Sequence, residues 1–225
     1  MGYWRKVMAI VQKELLNEWH AKENISPMFI FAFLVIVIFA FAFPPLKETT
    51  RQVFPGIIWM GLFFACQLGL SKSFTSEKVN DCIMGLMLTP ADRTVIFFGK
   101  LLANLVFTGL IELTSLPLFF ILFDYRMAGS LPLFILIIVL GTVGFISIGT
   151  FLAALTSNTR NSEILLPLVL FPILVPVIIG AVKTTALVLS GSLTGEFFLW
   201  LKLLAVYDLI FLVVPFMLFD FVLEV

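Results

Sequence analysis

Few side chains in this chain could do chemistry, and they are unevenly placed. A charged island over residues 72–93 holds Lys72, Glu77, Lys78, Asp81, Asp92 and Arg93. Two acids, Glu112 and Asp208, stand inside long apolar runs, with Lys100 and Lys202 nearer the run ends. Ionisable residues within lipid-embedded segments are functional candidates by default, because an unpaired charge in hydrocarbon is expensive. Lys100 and Lys202 sit where their heads could snorkel to water. Glu112 has no second acid near it in sequence, so it reads either as a proton or substrate site or as a packing group bonded to Asn104, Thr108 or a neighbouring helix. The single histidine, His20, builds neither a metal cluster nor a dyad with a distant nucleophile. Cys66 and Cys82 form no C-x-x-C pair for metal or redox work. There is no G-x-x-x-x-G-K-S/T run, and the Gly99-Lys100 pair lacks the preceding glycine, so ATP phosphates are not cradled by that route. With no catalytic set and no metal set, the chain reads as a non-enzyme.

The elements that must position these residues are membrane spans. The chain has 225 residues, 61% hydrophobic and 12% charged, where soluble domains carry about 25% charge. Uncharged runs cover 24–46, 52–71, 127–159 and 164–182, and 95–123 and 197–219 are apolar with isolated charges. About 20 apolar residues cross a bilayer as a helix. The expectation is an all-α membrane protein with six transmembrane helices over 24–225, preceded by an interfacial helix over 1–23. Barrel strands would alternate apolar and polar residues, and these runs do not. Net charge is zero, which gives no footprint for nucleic acid.

Trp4, Met8, Val11, Leu15 and Trp19 recur at helical spacing in the first segment and predict an amphipathic helix at the interface, either an anchor or a connector to a partner. Glu18 falls near its apolar arc. The first apolar run is long enough to be a retained anchor rather than a cleaved signal. Pro44-Pro45 ends span one. Pro55-Gly56 is expected to open span two after an external loop of about ten residues, Pro being well tolerated near a helix start. A loop over 71–95 contains a predicted amphipathic helix over 74–88, capped by Ser73 or Thr75 and ended by Thr89-Pro90. Val79, Cys82, Ile83, Leu86 and Met87 share one side of it, and Glu77, Lys78 and Asp81 another. Such a helix either lies on headgroups or docks into a soluble partner. Gly141, Gly144 and Gly149 in span four permit close helix approach, within the chain or between subunits. Pro167, Pro172 and Pro176 make span five a bent gating or packing element. Residues 183–197 are expected to form an external loop, with room for a short surface helix.

Arg5, Lys6, Lys13, Lys22, Lys72, Lys78, Arg93, Lys100 and Arg160 fall on one side of such a six-span chain. Lys47, Arg51, Arg126, Lys183 and Lys202 fall on the other. The positive-inside bias puts both termini and the island in the cytoplasm.

Several runs resemble a known family. Pro55-Gly56-Ile57-Ile58-Trp59 opens span two, and Leu86-Met87-Leu88-Thr89-Pro90 closes the island helix. Gly99-Lys100-Leu101-Leu102-Ala103-Asn104 follows, and span five carries Leu165-Leu166-Pro167 through Phe171-Pro172 to Val175-Pro176. Together, over nearly the whole chain, they are similar to the haem exporter protein B (CcmB) family, permease subunits of the cytochrome c maturation ABC complex. The resemblance implies a type 2 ABC-exporter-like permease and a function in haem export, haem delivery or release of a haem-loaded periplasmic chaperone. It implies partners: an ABC ATPase subunit, a second copy of this chain, a haem-handling membrane protein, a small membrane subunit and the chaperone. It further implies that ATP binds the partner and that haem is handled by the complex; with no pair of axial haem ligands on the outer side, this chain is expected to bind no cofactor itself. The island helix, with Phe74, Glu77, Lys78, Asp81, Ile83, Leu86, Thr89 and Pro90, would sit in an ATPase groove and tilt spans one, two and five. Pro55, Gly56 and Trp59 would form the span-two motif, and Pro167, Pro172 and Pro176 the gating span. Asn80-Asp81 and Ile83-Met84 depart from the family's Asp-Gly and Leu-Glu, and Glu112 matches no family feature. The competing readings are a type 2 permease for a lipid, drug or glycan, and an assembly scaffold with no pathway.

Overall fold

The computed structural model describes residues 2–22, 24–44, 48–79, 93–157, 159 and 162–222, with the backbone alone for 72–79, 93, 163 and 219–222. The described residues form α1 (Tyr3–Ala21), α2 (Ile25–Ala42), α3 (Glu48–Val79), α4 (Arg93–Leu122), α5 (Leu131–Ser157), α6 (Ser162–Leu189) and α7 (Gly195–Val222). Six helices, α2 to α7, are long and apolar enough to cross a membrane. The outward faces are apolar, as lipid requires: Phe33, Ile38, Leu113, Ile121, Leu168 and Leu209 are all exposed. The all-α six-span architecture expected from the sequence is therefore present.

α5 is the central strut and packs against α3, α4, α6 and α7. Its small residues are the reason. A Cβ on Gly141 would lie 2.3 Å from Trp59 Cη2, one on Gly149 2.4 Å from Leu70 Cδ1, and one on Gly144 2.4 Å from Asp208 Oδ1. All three glycines thus serve contacts within this chain. Trp59 is 0% exposed. Its indole N–H donates to Thr185 Oγ1 at 2.8 Å, so one side chain ties α3 to α5 and α6.

Helix ends differ from the sequence expectation in three places. α3 starts at Glu48, so Pro55 lies inside it rather than at its opening. The Thr50 hydroxyl donates to Pro44 O at 2.8 Å, and Glu48 suits the positive end of the helix dipole. Those contacts hold the extra turns, since Pro55 removes only the bond to the Arg51 carbonyl. The α2–α3 connection is correspondingly shorter than expected. At its other end α3 runs unbroken to Val79. No helix begins at Phe74, because nothing between 70 and 79 is Gly or Pro. Finally, α6 runs through Lys183 to Leu189 and α7 starts at Gly195, so the expected 183–197 loop is reduced to residues 190–194. α6 stops in a Schellman turn, with Ser192 N–H donating to Leu187 O (2.9 Å) and Gly191 N–H to Val188 O (3.0 Å). Gly191 supplies the left-handed φ of 73° that this turn needs.

α1 is not a loose surface helix. It lies along the start of α4, with Tyr3 Oη donating to Thr94 Oγ1 at 3.3 Å and Ile10 seated where Gly99 has no side chain. Val7 and Val11 are buried in this contact, while Trp4, Met8, Leu16 and Trp19 stay exposed. Val11, grouped with the lipid-facing stripe in the sequence, belongs to the docked face instead. The misfit at Glu18 also resolves. Its carboxylate is buried and accepts the N–H of Asn24 (2.9 Å) and Ile25 (2.7 Å), capping the first turn of α2. Lys22 makes the intervening turn at φ 53°.

Replacing Gly141 with Leu forces a side chain into the Trp59 ring. Overpacking of this kind costs roughly 1–3 kcal/mol. The expected result is a lower melting temperature of the detergent-solubilised chain; an unchanged melting temperature would contradict the strut assignment.

Candidate functional site

Five of the buried polar groups line one face of α4. Lys100, Asn104, Thr108, Glu112 and Ser115 follow at steps of four, four, four and three residues, which is one side of a helix. All five are buried. In hydrocarbon each must find a protein partner or stay neutral.

Lys100 sits at the α1 end and is 1% exposed. It does not snorkel: its Nζ pairs with Glu14 of α1 at 3.3 Å. Lys202 is exposed near the start of α7 and is free to extend toward the opposite end. One turn deeper on α4, Asn104 Nδ2 donates to Thr150 Oγ1 of α5 at 3.1 Å. Next, Thr108 and Cys66 of α3 line a cavity of about 10 Å³. Below that, Glu112 accepts the hydroxyl of Thr142, again from α5. Asn104 and Glu112 are eight residues apart on α4, and Thr150 and Thr142 eight apart on α5, so both bonds belong to one antiparallel register. Of the two sequence readings of Glu112, the structure supplies the hydrogen bond to a neighbouring helix.

Asp208 is held elsewhere. It is 5% exposed, faces Gly144 on α5, and neither of its oxygens has a hydrogen-bond partner among the described residues. Thr142 and Gly144 turn toward different neighbours, so the two acids occupy separate interfaces, α4–α5 and α5–α7. The adjacent Tyr207 donates its hydroxyl to Ile173 O at 3.2 Å. That bond ties α7 to the stretch of α6 between Pro172 and Pro176. Pro167 is half-buried, and Pro172 and Pro176 are exposed. Of the span-two motif, Pro55 and Trp59 are buried, and Gly56 opens onto a groove. His20 is exposed and its ring Nδ1 bonds Leu16 O at 2.7 Å.

The island is reached only in part. Phe74, Glu77 and Lys78 lie on the helical backbone of α3. Asp81, Ile83, Leu86, Thr89 and Pro90 lie outside the described residues. The described ends of the island, the close of α3 at Val79 and the start of α4 at Arg93, lie at the same end of the bundle as α1. The sequence reading missed the Glu14–Lys100 pair and the Glu18 cap. The first joins groups 86 residues apart, which no local pattern reveals. The second had a signal in the acid that interrupted the apolar arc of α1.

Six apolar spans and a docked amphipathic helix define a multi-pass, all-α membrane protein. The profile of the CcmB protein family matches residues 5–222. Heme exporter protein B of Pseudomonas aeruginosa is 29% identical over 182 residues, covering 80% of this chain and 79% of that protein. The protein of the same name from Rhodobacter capsulatus is 31% identical over 149 residues, covering 66% and 68%, and that of Haemophilus influenzae is 26% identical over 174 residues, covering 77% and 78%. The chain belongs to the CcmB family.

The Glu14–Lys100 pair can be tested by a double-mutant cycle. Glu14→Gln removes the carboxylate that pairs with the buried Lys100 ammonium and is expected to cost about 1–3 kcal/mol. Replacing both residues (E14Q/K100M) removes the charge and should recover part of that loss in thermal melts. A double variant less stable than Glu14→Gln alone would contradict the pairing.

Proposed function

We propose that this chain is the membrane permease subunit of an ABC complex in cytochrome c biogenesis. In this reading it couples ATP hydrolysis by a partner ATPase to haem export, haem delivery or release of a haem-loaded periplasmic chaperone. The observation that carries it is the family match across almost the whole length of a six-span chain that has no phosphate-cradling motif of its own. Haem is the cargo of the complex, and ATP belongs to the partner. The chain acts as two copies beside two ATPase subunits, with a haem-handling membrane protein and a small membrane subunit completing the assembly. Both termini and the island face the cytoplasm of the inner membrane, because Lys and Arg accumulate at that end.

In this mechanism the island helix seats in the ATPase and receives its motion. The continuity of α3 supports the next step, since Glu48–Val79 is one rigid helix linking the island to the opposite membrane surface. Trp59 passes a tilt of α3 to α5 and α6. The docked α1 passes displacement to α2 through the Glu18 cap and to α4 through Lys100.

Co-purification with the cognate ATPase tests the coupling. Glu77→Gln, Asp81→Asn and Leu86→Ala are each expected to weaken ATPase retention or stimulated turnover, by about tenfold for a central anchor, with the melting temperature unchanged. Wild-type retention and wild-type turnover in all three variants would overturn this assignment.

A further inference from the structure

Two cavities at the end of the bundle opposite α1 join into one site that the proposed coupling does not use. The first is a cleft of about 500 Å³ between the start of α3, the α4–α5 turn and the end of α6. Arg51, Gln52, Tyr125 and Arg126 line it, with Glu48 and the backbone around Ser190. Both guanidiniums are exposed, and neither forms an ion pair among the described residues. Tyr125 is fixed by stacking on Phe54, with ring centroids 4.4 Å apart. Burial pushes its phenol above the usual range; Arg51 opposes this and Glu48 adds to it, so the hydroxyl remains a donor at neutral pH.

The second is an apolar groove of about 680 Å³ between α2, α3 and α6, walled by Phe31, Val35, Met60, Phe64 and Val182. Gln52 lines both cavities. On α6 the groove residue Val182 and the cleft residue Ala186 are one turn apart on one face. The cavities are therefore stacked along the bundle. The cleft lies where the spans of α3 (from Glu48) and α6 (to Leu189) end, at headgroup depth, and the groove descends from it. Lys183 is exposed on α6 one turn from Ala186 and Leu187, adding a third cation at that level.

We propose that cleft and groove together bind one anionic glycerophospholipid, its phosphate between Arg51 and Arg126 and an acyl chain along the α2–α3–α6 groove. The shape is that of an amphiphile: cations and donors at the membrane surface, continuous with a hydrocarbon-lined channel open to the bilayer. Guanidinium forks match phosphate oxygens in paired hydrogen bonds, while the Gln52 amide and the Tyr125 hydroxyl offer further donors. Glu48, the one acid among the described residues lining the cleft, accepts from a headgroup hydroxyl and disfavours a bare dianion. A free phosphate would use the cleft and leave the groove empty. A second copy of the chain seated on the groove would exclude the acyl chain.

The test uses the full-length chain, purified in mild detergent from membranes of known phospholipid composition. Retained lipids are counted by mass spectrometry, with inorganic phosphate added in a parallel sample. Wild type is expected to keep a stoichiometric phospholipid, enriched in phosphatidylglycerol or cardiolipin over the bulk membrane and not displaced by inorganic phosphate. Replacing both arginines (R51Q/R126Q) should lower that enrichment by about tenfold, equivalent to roughly 1.4 kcal/mol. Met60→Trp, which narrows the groove and leaves both arginines, should release the lipid as well. Far-UV circular dichroism melts check that both variants stay folded. The proposal is overturned if wild type keeps lipids in bulk proportions or keeps a carboxylate-bearing pigment instead. It is equally overturned if inorganic phosphate displaces the bound lipid, if a second copy covers the groove with no lipid present, or if either folded variant binds as wild type does.

Discussion

Hydrocarbon offers a polar side chain no hydrogen-bond partner, and most of this structure follows from that constraint. Most charged and polar residues of the spans are turned inward or kept at the ends, and four contacts join them across helix interfaces, while Asp208 is buried without a partner among the described residues. Lys100 finds Glu14, Asn104 finds Thr150, Glu112 finds Thr142 and Trp59 finds Thr185. Three of these bonds end on α5 or on the neighbouring α6, which is why α5 has to be lined with glycine, serine and threonine. Apolar packing alone distinguishes helix orientations weakly in lipid, because lipid tails are as apolar as leucine. The polar pairs fix which face of α4 meets α5 and at what register.

The same constraint explains the attachment of α1. A helix with exposed Trp4 and Trp19 could lie anywhere on a membrane surface. Here its two acids decide the position. Glu14 reaches the one buried ammonium of α4's polar face, and Glu18 covers the bare N–H groups where α2 begins. α1 is thereby bonded to two spans at the end of the bundle where α3 closes and α4 starts. In the proposed mechanism this end meets the ATPase, and α1 and α3 are two rigid routes from it into the spans.

The existence of each helix was legible in the sequence, because span-length apolar runs leave little choice in a chain 61% hydrophobic. Helix ends were less so. Pro55, Phe74 and Lys183 each marked an expected boundary, and each lies inside a helix. A proline with packed turns before it, or a charge within reach of the surface, does not stop a helix whose other residues favour it. The glycines of α5 were legible as contact points but not as to partner, since Trp59, Asp208 and Leu70 come from distant parts of the chain. The four-residue recurrence from Lys100 to Glu112 was present in the sequence, yet read residue by residue it suggested a snorkelling lysine and an isolated acid. Read as one face, it marks the inward side of α4. Asp208 is legible as an intramembrane acid, but its two bare oxygens become evident only once α5 and α7 are packed.

In the proposed reading, this CcmB-family chain serves cytochrome c biogenesis rather than the export of another cargo. Covalently bound haem in c-type cytochromes, visualised on denaturing gels of membranes from a strain lacking only this chain, measures it most directly. The c-type bands are expected to vanish and to return with the wild-type chain, while lipid and glycan export remain at parental levels. Undiminished c-type haem in the deletion strain would contradict it.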